Sequence, residues 1–256
     1  MMRALLTAAT GMEAQQITID TISNNLANVN TTAFKRSRAN FHDLLYQTFR
    51  APGQSSTVGT VVPSGIQIGA GSEVSSVEKM FKRGALIQTE NWSDMMIEGE
   101  GFFRIQKDDG SIAYSRDGSF KVDSGGRLVT ADGFPLVPEI VIPQGISHEK
   151  INIGLDGTVS VRVNDQTQEL GQIQLANFIN PAGLDSLGRN LYGATVASGE
   201  AIVGAPNQDG LGSIHQKPLE ASNVNIIEEL VNRITGQRAY ELNSKEIRDL
   251  DLLWVK

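Results

Sequence analysis

Side-chain chemistry would begin with the histidines, and the chain has three: His42, His148 and His215. They are far apart and have different neighbours. His148-Glu149 begins like a zinc-protease helix, whose two histidines share one helix face with a glutamate as base. Position 152 is Asn where the second histidine is needed, and Ile151 and Ile153 alternate as in a strand. Gly99-Glu100-Gly101 lacks the third glycine of a dinucleotide fingerprint and reads as a turn before a buried strand. Asp108-Asp109-Gly110 and Asp156-Gly157 lack the alternating oxygen ligands and closing Glu of a calcium loop, and read as turns. No G-x-S-x-G elbow is present, and the absence of Cys rules out thiolate chemistry and disulfides. No catalytic, metal or cofactor-binding constellation is predicted. An enzyme is the weakest reading, and no cofactor is expected.

Composition narrows the partners. The net charge is -7, and the densest basic cluster is Lys35, Arg36 and Arg38. Three such charges are expected to solvate a loop, and a basic footprint for nucleic acid is missing. Arg3 followed by Ala4-Leu5-Leu6-Thr7-Ala8-Ala9 mimics the start of a signal peptide, but the apolar stretch is too short and is broken by Thr7 and Thr10. No stretch approaches the roughly 20 apolar residues of a spanning helix, so no membrane insertion is expected. If the protein leaves the cytoplasm, the expected route reads no cleaved signal.

With little chemistry to position, the elements themselves carry the information. Met2 to about Asn30 reads as a helix. Leu5, Met12, Ile19 and Leu26 recur every seven residues, with Ala8, Gln15, Ile22 and Val29 three residues after each. That is a seam seeking a partner helix. The only ionised side chains in Met1–Ala33 are Arg3, Glu13 and Asp20. A neutral polar back face can be buried against protein at far lower desolvation cost than a charged one. Phe41–Phe49 reads as a short helical or extended piece, and Ala51–Gly71 as loop or edge strand that docks on something. Val74 to about Phe178 reads as β, with hairpin signals at Asp117-Gly118 and Ser124-Gly125-Gly126 and a strand at Ile173-Gln174-Leu175. The clearest hairpin joins Ile151–Leu155 to Val159–Val163 through Asp156-Gly157, both arms alternating strictly. Asn180–Pro218 shows little periodicity. A second, charged helix starts near Ser222–Asn225, with a stripe of Val224, Ile227, Val231 and Ile234 continued by Leu242, Leu250, Leu253 and Trp254. Gly236 predicts a kink or register shift in it.

The junction Ser23-Asn24-Asn25-Leu26-Ala27-Asn28-Val29-Asn30-Thr31-Thr32-Ala33-Phe34-Lys35 resembles the N-terminal signature of bacterial flagellar rod and hook axial proteins. Ser222-Asn223-Val224-Asn225, Glu228-Glu229-Leu230-Val231 and Gln237-Arg238-Ala239-Tyr240-Glu241-Leu242-Asn243 resemble its C-terminal counterpart. Gly101-Phe102-Phe103, Tyr114–Phe120 and Leu128–Gly133 are similar to the family's β-domain. Asp43–Thr48 and the stretch to Pro63–Gly69 are similar to the distal rod members in particular. Ala33 stands where the family often has Gly, which questions whether a left-handed backbone is needed there.

The resemblance implies an α+β fold in three parts. An inner coiled coil would take residues 1–33 and 220–256. A loop-rich middle domain would take 34–72 and 205–219, with an extended insert at 51–71. An all-β outer domain would take 73–204. The implied role is a self-assembling subunit of the distal rod, a helical tube that transmits torque from motor to hook. Implied partners are further copies, proximal rod proteins, hook or hook-adapter proteins, surrounding rings and the export apparatus. The implied location is the basal-body rod in the periplasmic space. The assembly interface is assigned to Leu5, Met12, Ile19, Ile22, Leu26, Val29, Asn24, Asn25, Asn28, Phe34, Val224, Ile227, Val231, Ile234, Tyr240 and Leu242. The rod-specific insert is assigned Pro52, Gly53, Val61, Val62, Pro63, Ile66 and Ile68. Channel-lining candidates are Glu241, Lys245, Glu246, Arg248 and Asp249. The alternatives are a hook or proximal rod protein and, in a different class, a secreted β-rich adhesive or carbohydrate-binding protein. Ligand clefts favour clustered aromatics, and the sequence groups neither Trp92 with Trp254 nor Tyr46, Tyr114, Tyr192 and Tyr240.

Overall fold

A computed structural model describes residues 2–53, 55–57, 60–61, 63–143, 145–146, 150–163 and 166–254. The fold class is α+β, with a long helix near each end and strands between. The chain divides into two compact units, one of Met1–Ala27, Ser37–Glu78 and Asn225–Lys256, the other of Asn28–Arg36 and Lys79–Val224. His148 lies outside the described residues, and no metal-ligating cluster occurs among those described.

In the first unit, helix α1 spans Met2–Ala27 and helix α2 spans Ile226–Trp254. Helix α1 stops short of Asn30 because local bonds replace the helical ladder: Thr31 donates its N–H to Asn28 O at 3.1 Å and its hydroxyl to Asn28 Oδ1 at 3.1 Å. Asn225 caps α2, its Oδ1 accepting the Ile227 N–H at 3.0 Å. Glu228 and Glu229 in the first turn suit the positive end of the helix dipole. The helices pack antiparallel, Gly11 meeting Asn243, Gln15 and Ile19 meeting Gly236, and Asn25 meeting Glu229. Helix α2 runs unbroken through Gly236. That glycine is buried, and a Cβ on it would sit 3.5 Å from Gln15 and Ile19, which makes it a close-packing residue.

The Ser37–Glu78 segment of this unit forms strand pairs among its described residues. Ser37–Asp43 pairs with Ser72–Lys79, and Tyr46–Arg50 pairs antiparallel with Ile66–Gly69. Ser55–Thr57 pairs with Thr60–Val61. The helical option for Phe41–Phe49 therefore falls, and the 51–71 stretch carries strand pairs of its own.

The second unit holds the main core. Its largest sheet is antiparallel, in the order Asp185–Gly188, Leu191–Gly193, Ile112–Ser115, Phe102–Gln106, Leu175–Asn177, Ile202–Gly204. Neighbouring residues of a strand face opposite sides, and Phe102 and Phe103 use this to anchor two cores. Phe103 packs edge-on to Phe120 at 5.1 Å, among Met95, Ile97, Leu128, Leu136 and Ile173. Phe102 lies on the other face with Tyr114, Phe178, Leu184 and Tyr192. Tyr114 and Tyr192 are cross-strand partners, so two tyrosines scattered in sequence are grouped as core. The 151–163 hairpin has the expected register, Ile151 opposite Val161 and Ile153 opposite Val159. Gln166–Gln172 adds a third strand to it.

Asn180–Pro218, which shows little periodicity, supplies the strands 185–188, 191–193, 202–204 and 213–216, each too short to show a period. Two sequence expectations fail in this unit. Ile173 and Gln174 join the strand Gln166–Gln172 to the strand Leu175–Asn177 of another sheet, so of Ile173-Gln174-Leu175 only Leu175 is in a strand. Asp117-Gly118 is not a hairpin turn. Gly118 is where the chain presses against Met95, whose N–H donates to Gly118 O at 3.0 Å, and a Cβ there would overlap the Met95 carbonyl.

Candidate assembly surface

The signature asparagines act on the main chain. In the first unit, buried Asn25 clamps Ser37 at two points: its Oδ1 accepts the Ser37 N–H at 2.8 Å and its Nδ2 donates to Ser37 O at 2.9 Å. The same Nδ2 reaches Glu229 Oε2 on α2 at 3.4 Å. In the second unit, Asn223 does likewise. It accepts the Arg36 N–H at 2.7 Å and donates to Met80 O at 2.8 Å and Lys82 O at 2.9 Å. Both replace strand-like pairing where backbone groups would otherwise be buried unpaired.

Between these clamps the chain turns through Ala33, which takes φ 55° and is 1% exposed. The left-handed backbone questioned above is required there, and the chain adopts it with a Cβ in place. The Ala33 N–H donates to Glu220 O at 2.8 Å. Lys35 is not a loop solvator: it is fully buried and pairs with Glu220, also buried. Glu220 Oε1 accepts from Lys35 Nζ and from the Gly84 N–H at 2.8 Å, and Lys35 also donates to Lys82 O at 3.1 Å. Burial pulls the Lys35 ammonium below its ordinary pKa, and the Glu220 charge opposes that pull. Arg116 is buried too, donating to Gly99 O at 2.7 Å with its guanidinium 5.5 Å from the Phe102 ring centre. No sequence rule used above pointed to Lys35, Glu220 or Arg116. Lys35 and Arg116 stand inside the resembling motifs, and Glu220 lies just outside them.

The predicted interface residues divide by exposure. On α1, Ile22 and Asn25 are buried, Leu5, Met12, Ile19 and Leu26 are half-buried, and Asn24 is exposed. Asn28 and Val29 are half-buried, and Phe34 and Val224 are buried, all four within the second unit. On α2 the predicted stripe does not face α1. Ile227 is 75% exposed, Val231 56%, Ile234 51% and Leu242 66%. The less exposed side carries Glu229, Arg233, Gly236, Ala239, Asn243 and Ile247 instead, spaced by three and four, and Glu229, Gly236 and Asn243 of these meet α1. Tyr240 lies at the edge of that side, 38% exposed. The small and polar residues thus sit inside and the apolar ones outside, which inverts the usual pattern. The outward face also changes along its length, from Ile227, Leu230, Val231 and Ile234 before Gly236 to Arg238, Glu241, Lys245, Arg248 and Asp249 after it. Glu246 is exposed as well, beside Met2, Arg3 and Leu6 of α1.

Of the insert residues, Pro52, Gly53 and Pro63 are exposed, and Ile66 and Ile68 are 49% and 46% exposed. Val61 lies in the strand Thr60–Val61, and Val62 lies outside the described residues.

Comparison with known proteins supplies a frame for this surface. Residues 5–35 match the family described as flagella basal body rod protein. Residues 96–161 match the flagellar hook protein FlgE/F/G D1 domain, and residues 215–251 match the flagellar basal body rod FlgEFG protein C-terminal. The chain is 50% identical to the flagellar basal-body rod protein FlgG of Buchnera aphidicola subsp. Schizaphis graminum, over 100% of this chain and 98% of that one. It is 48% identical to the protein of the same name from Borreliella burgdorferi, over 98% of this chain and 96% of the other. For the one from Bacillus subtilis the identity is 38%, over the same shares.

Proposed function

The chain belongs to the family of flagellar basal-body rod proteins, and we propose that, as a structural subunit of the distal rod, it assembles with copies of itself into a helical tube that carries torque from motor to hook. The observation that carries this reading is the outward apolar face of α2. Ile227, Val231 and Ile234 stand half or more exposed on a helix whose other side is already packed. Burying one such side chain is worth about 1.5–3 kcal/mol, so a chain that leaves several in water gains by covering them. A contact between two different patches of like subunits, repeated without closure, builds an open helical assembly.

Within that reading the two terminal helices form an inner coiled coil, the 34–72 and 205–219 segments form a middle layer, and the 73–204 region forms an all-β outer layer. The antiparallel seam of α1 and α2 supports the first of these. Leu5, Met12, Ile19 and Leu26 on α1 and the Ile227–Ile234 face of α2 meet neighbouring subunits. The charged stretch of α2 from Glu241 to Asp249 lines a wet axial channel; the exposure of all five candidates supports this. The 51–71 insert bridges axial neighbours and limits sliding, so its deletion changes the curvature or stiffness of the tube. An unchanged tube in electron micrographs would remove that role. Other rod proteins, hook or hook-adapter proteins and surrounding rings adjoin the tube in the periplasmic space, and the chain reaches it through the flagellar export apparatus without signal cleavage.

The test is to express variants in cells lacking the protein and to count rods in isolated basal bodies. Ile234→Asp and Gln16→Lys are expected to reduce rods about tenfold or more, while Glu246→Lys leaves most of them. Equal tolerance at all three positions would sink the layout.

A further inference from the structure

The second unit holds a cleft of about 720 Å³ that the assembly reading does not use. Its size falls within the roughly 300–1,000 Å³ of small-ligand sites. One wall is the outward face of the three-stranded sheet. Asn152 pairs with Ser160, and Arg162 with Thr167, so all four side chains share that face while Val159 and Val161 point into the core. The opposite wall is Trp92, with Gln216 and Lys217 at the end of the strand Ser213–Gln216. Lys150 and Glu90 complete the rim.

This site is built. Gln216 donates from Nε2 to Trp92 O at 3.0 Å and to Ile151 O at 3.2 Å, and its Oε1 accepts the Ile153 N–H at 3.2 Å, so one side chain ties the two walls together. Trp92 packs part of its ring on the core and lines the cleft with the rest. Lys217 takes φ 82°, a left-handed backbone that costs a non-glycine residue energy. It is held there by Lys217 N–H donating to Asp94 O at 2.7 Å and by Thr89 N–H donating to Lys217 O at 2.9 Å. Such strain gathers at functional positions.

The lining selects a chemistry. An indole face suits the C–H face of a sugar ring, the Asn, Ser, Thr and Gln groups suit its hydroxyls, and three cations against one carboxylate suit an anion. In a chain of net charge -7 that local excess of positive charge is unusual. A long polyanion would meet the acidic remainder of the surface, so a short anionic ligand fits better. We propose that this cleft binds a short carboxylated oligosaccharide, the indole of Trp92 stacking on a ring and Arg162 with Lys150 and Lys217 holding the carboxylates.

The test titrates tri-galacturonate into the full-length protein carrying Trp254→Phe, which leaves Trp92 as the sole tryptophan reporter. The expected result is a saturable change in emission below about 10 mM, weakened about tenfold by Arg162→Gln. In calorimetry on the protein with its natural Trp254, Trp92→Ala should abolish binding while far-ultraviolet circular dichroism stays unchanged. The carboxyl-reduced neutral trisaccharide should bind far more weakly. No saturable signal, equal binding of the neutral sugar, or tighter binding of a hexaglutamate peptide would each overturn the proposal. None of these readouts involves rod assembly, so the two readings fail separately.

Discussion

Phe103 and Ile234 are both large, apolar and set in regular structure, yet one is 0% exposed and the other 51%. The contrast extends to their units. In the second unit, the main cluster around Phe103 gathers sixteen buried apolar residues from many short strands. In the first unit, α1 buries only Ala8, Ala14, Ile22 and Asn25, while Met2, Leu6, Leu45, Phe49, Ile227 and Leu242 face outward. A body built round a large buried core carries its stability within it, even with side chains such as Ile179 and Val196 exposed. A helix pair that shows such surface carries part of its stability only in company.

Three changes would sharpen or break this contrast. The largest expected effect is in the closed core: Phe103→Ala should lower the stability of the second unit by about 3–5 kcal/mol, read by urea unfolding. A loss as small as that of a surface change would mean the core is not what holds the unit.

Acid should come next. Hydrogen bonds from the Ser111 hydroxyl and N–H and from Lys107 hold the Asp109 carboxyl at about 2, below its ordinary 3.8. Asp123, bonded by the Arg127 N–H and side chain, and Asp156, bonded by Thr158, are lowered as well. A carboxylate with a lowered folded-state pKa adds stability that is present above its unfolded value and lost as pH falls through the folded one. The melting temperature of the second unit should therefore fall below about pH 4, and Asp109→Asn should flatten that fall. In the first unit, Glu78 is the described carboxylate lowered in this way.

The smallest effect is expected in the helix pair. A Cβ on Gly236 would make ordinary contact with Gln15 and Ile19, so Gly236→Ala should stabilise α2 by up to about 1 kcal/mol. Thermal melts followed at 222 nm would show it. A clear loss would mean the helices cannot tolerate even that methyl.

The legible parts of the sequence were those with a strong period. Helix α1 and the 151–163 hairpin were read correctly because seven-residue recurrence and strict alternation each leave few alternatives. The strands at 185–188, 191–193 and 202–204 were invisible because three or four residues cannot display a period. The side of α2 that packs on α1 could not be read from the sequence, because Glu229, Gly236 and Asn243 mark it and no apolar stripe does. The junction was legible only as a resemblance. That Asn25 and Asn223 bond to main chain, and that Lys35 is buried, depends on partners far along the chain. The cleft beside Trp92 escaped for the same reason, since its lining is drawn from residues 90 to 217.

Lys35 and Glu220 are 185 positions apart, and each is buried against the other. A charge left in that place alone would cost about 3–5 kcal/mol. A polypeptide synthesised from its amino end therefore cannot lock the stretch around Lys35 until almost all of its length has been made. The ion pair ties closure of the early segment to the late one, and premature setting of a half-made chain is disfavoured by its own electrostatics.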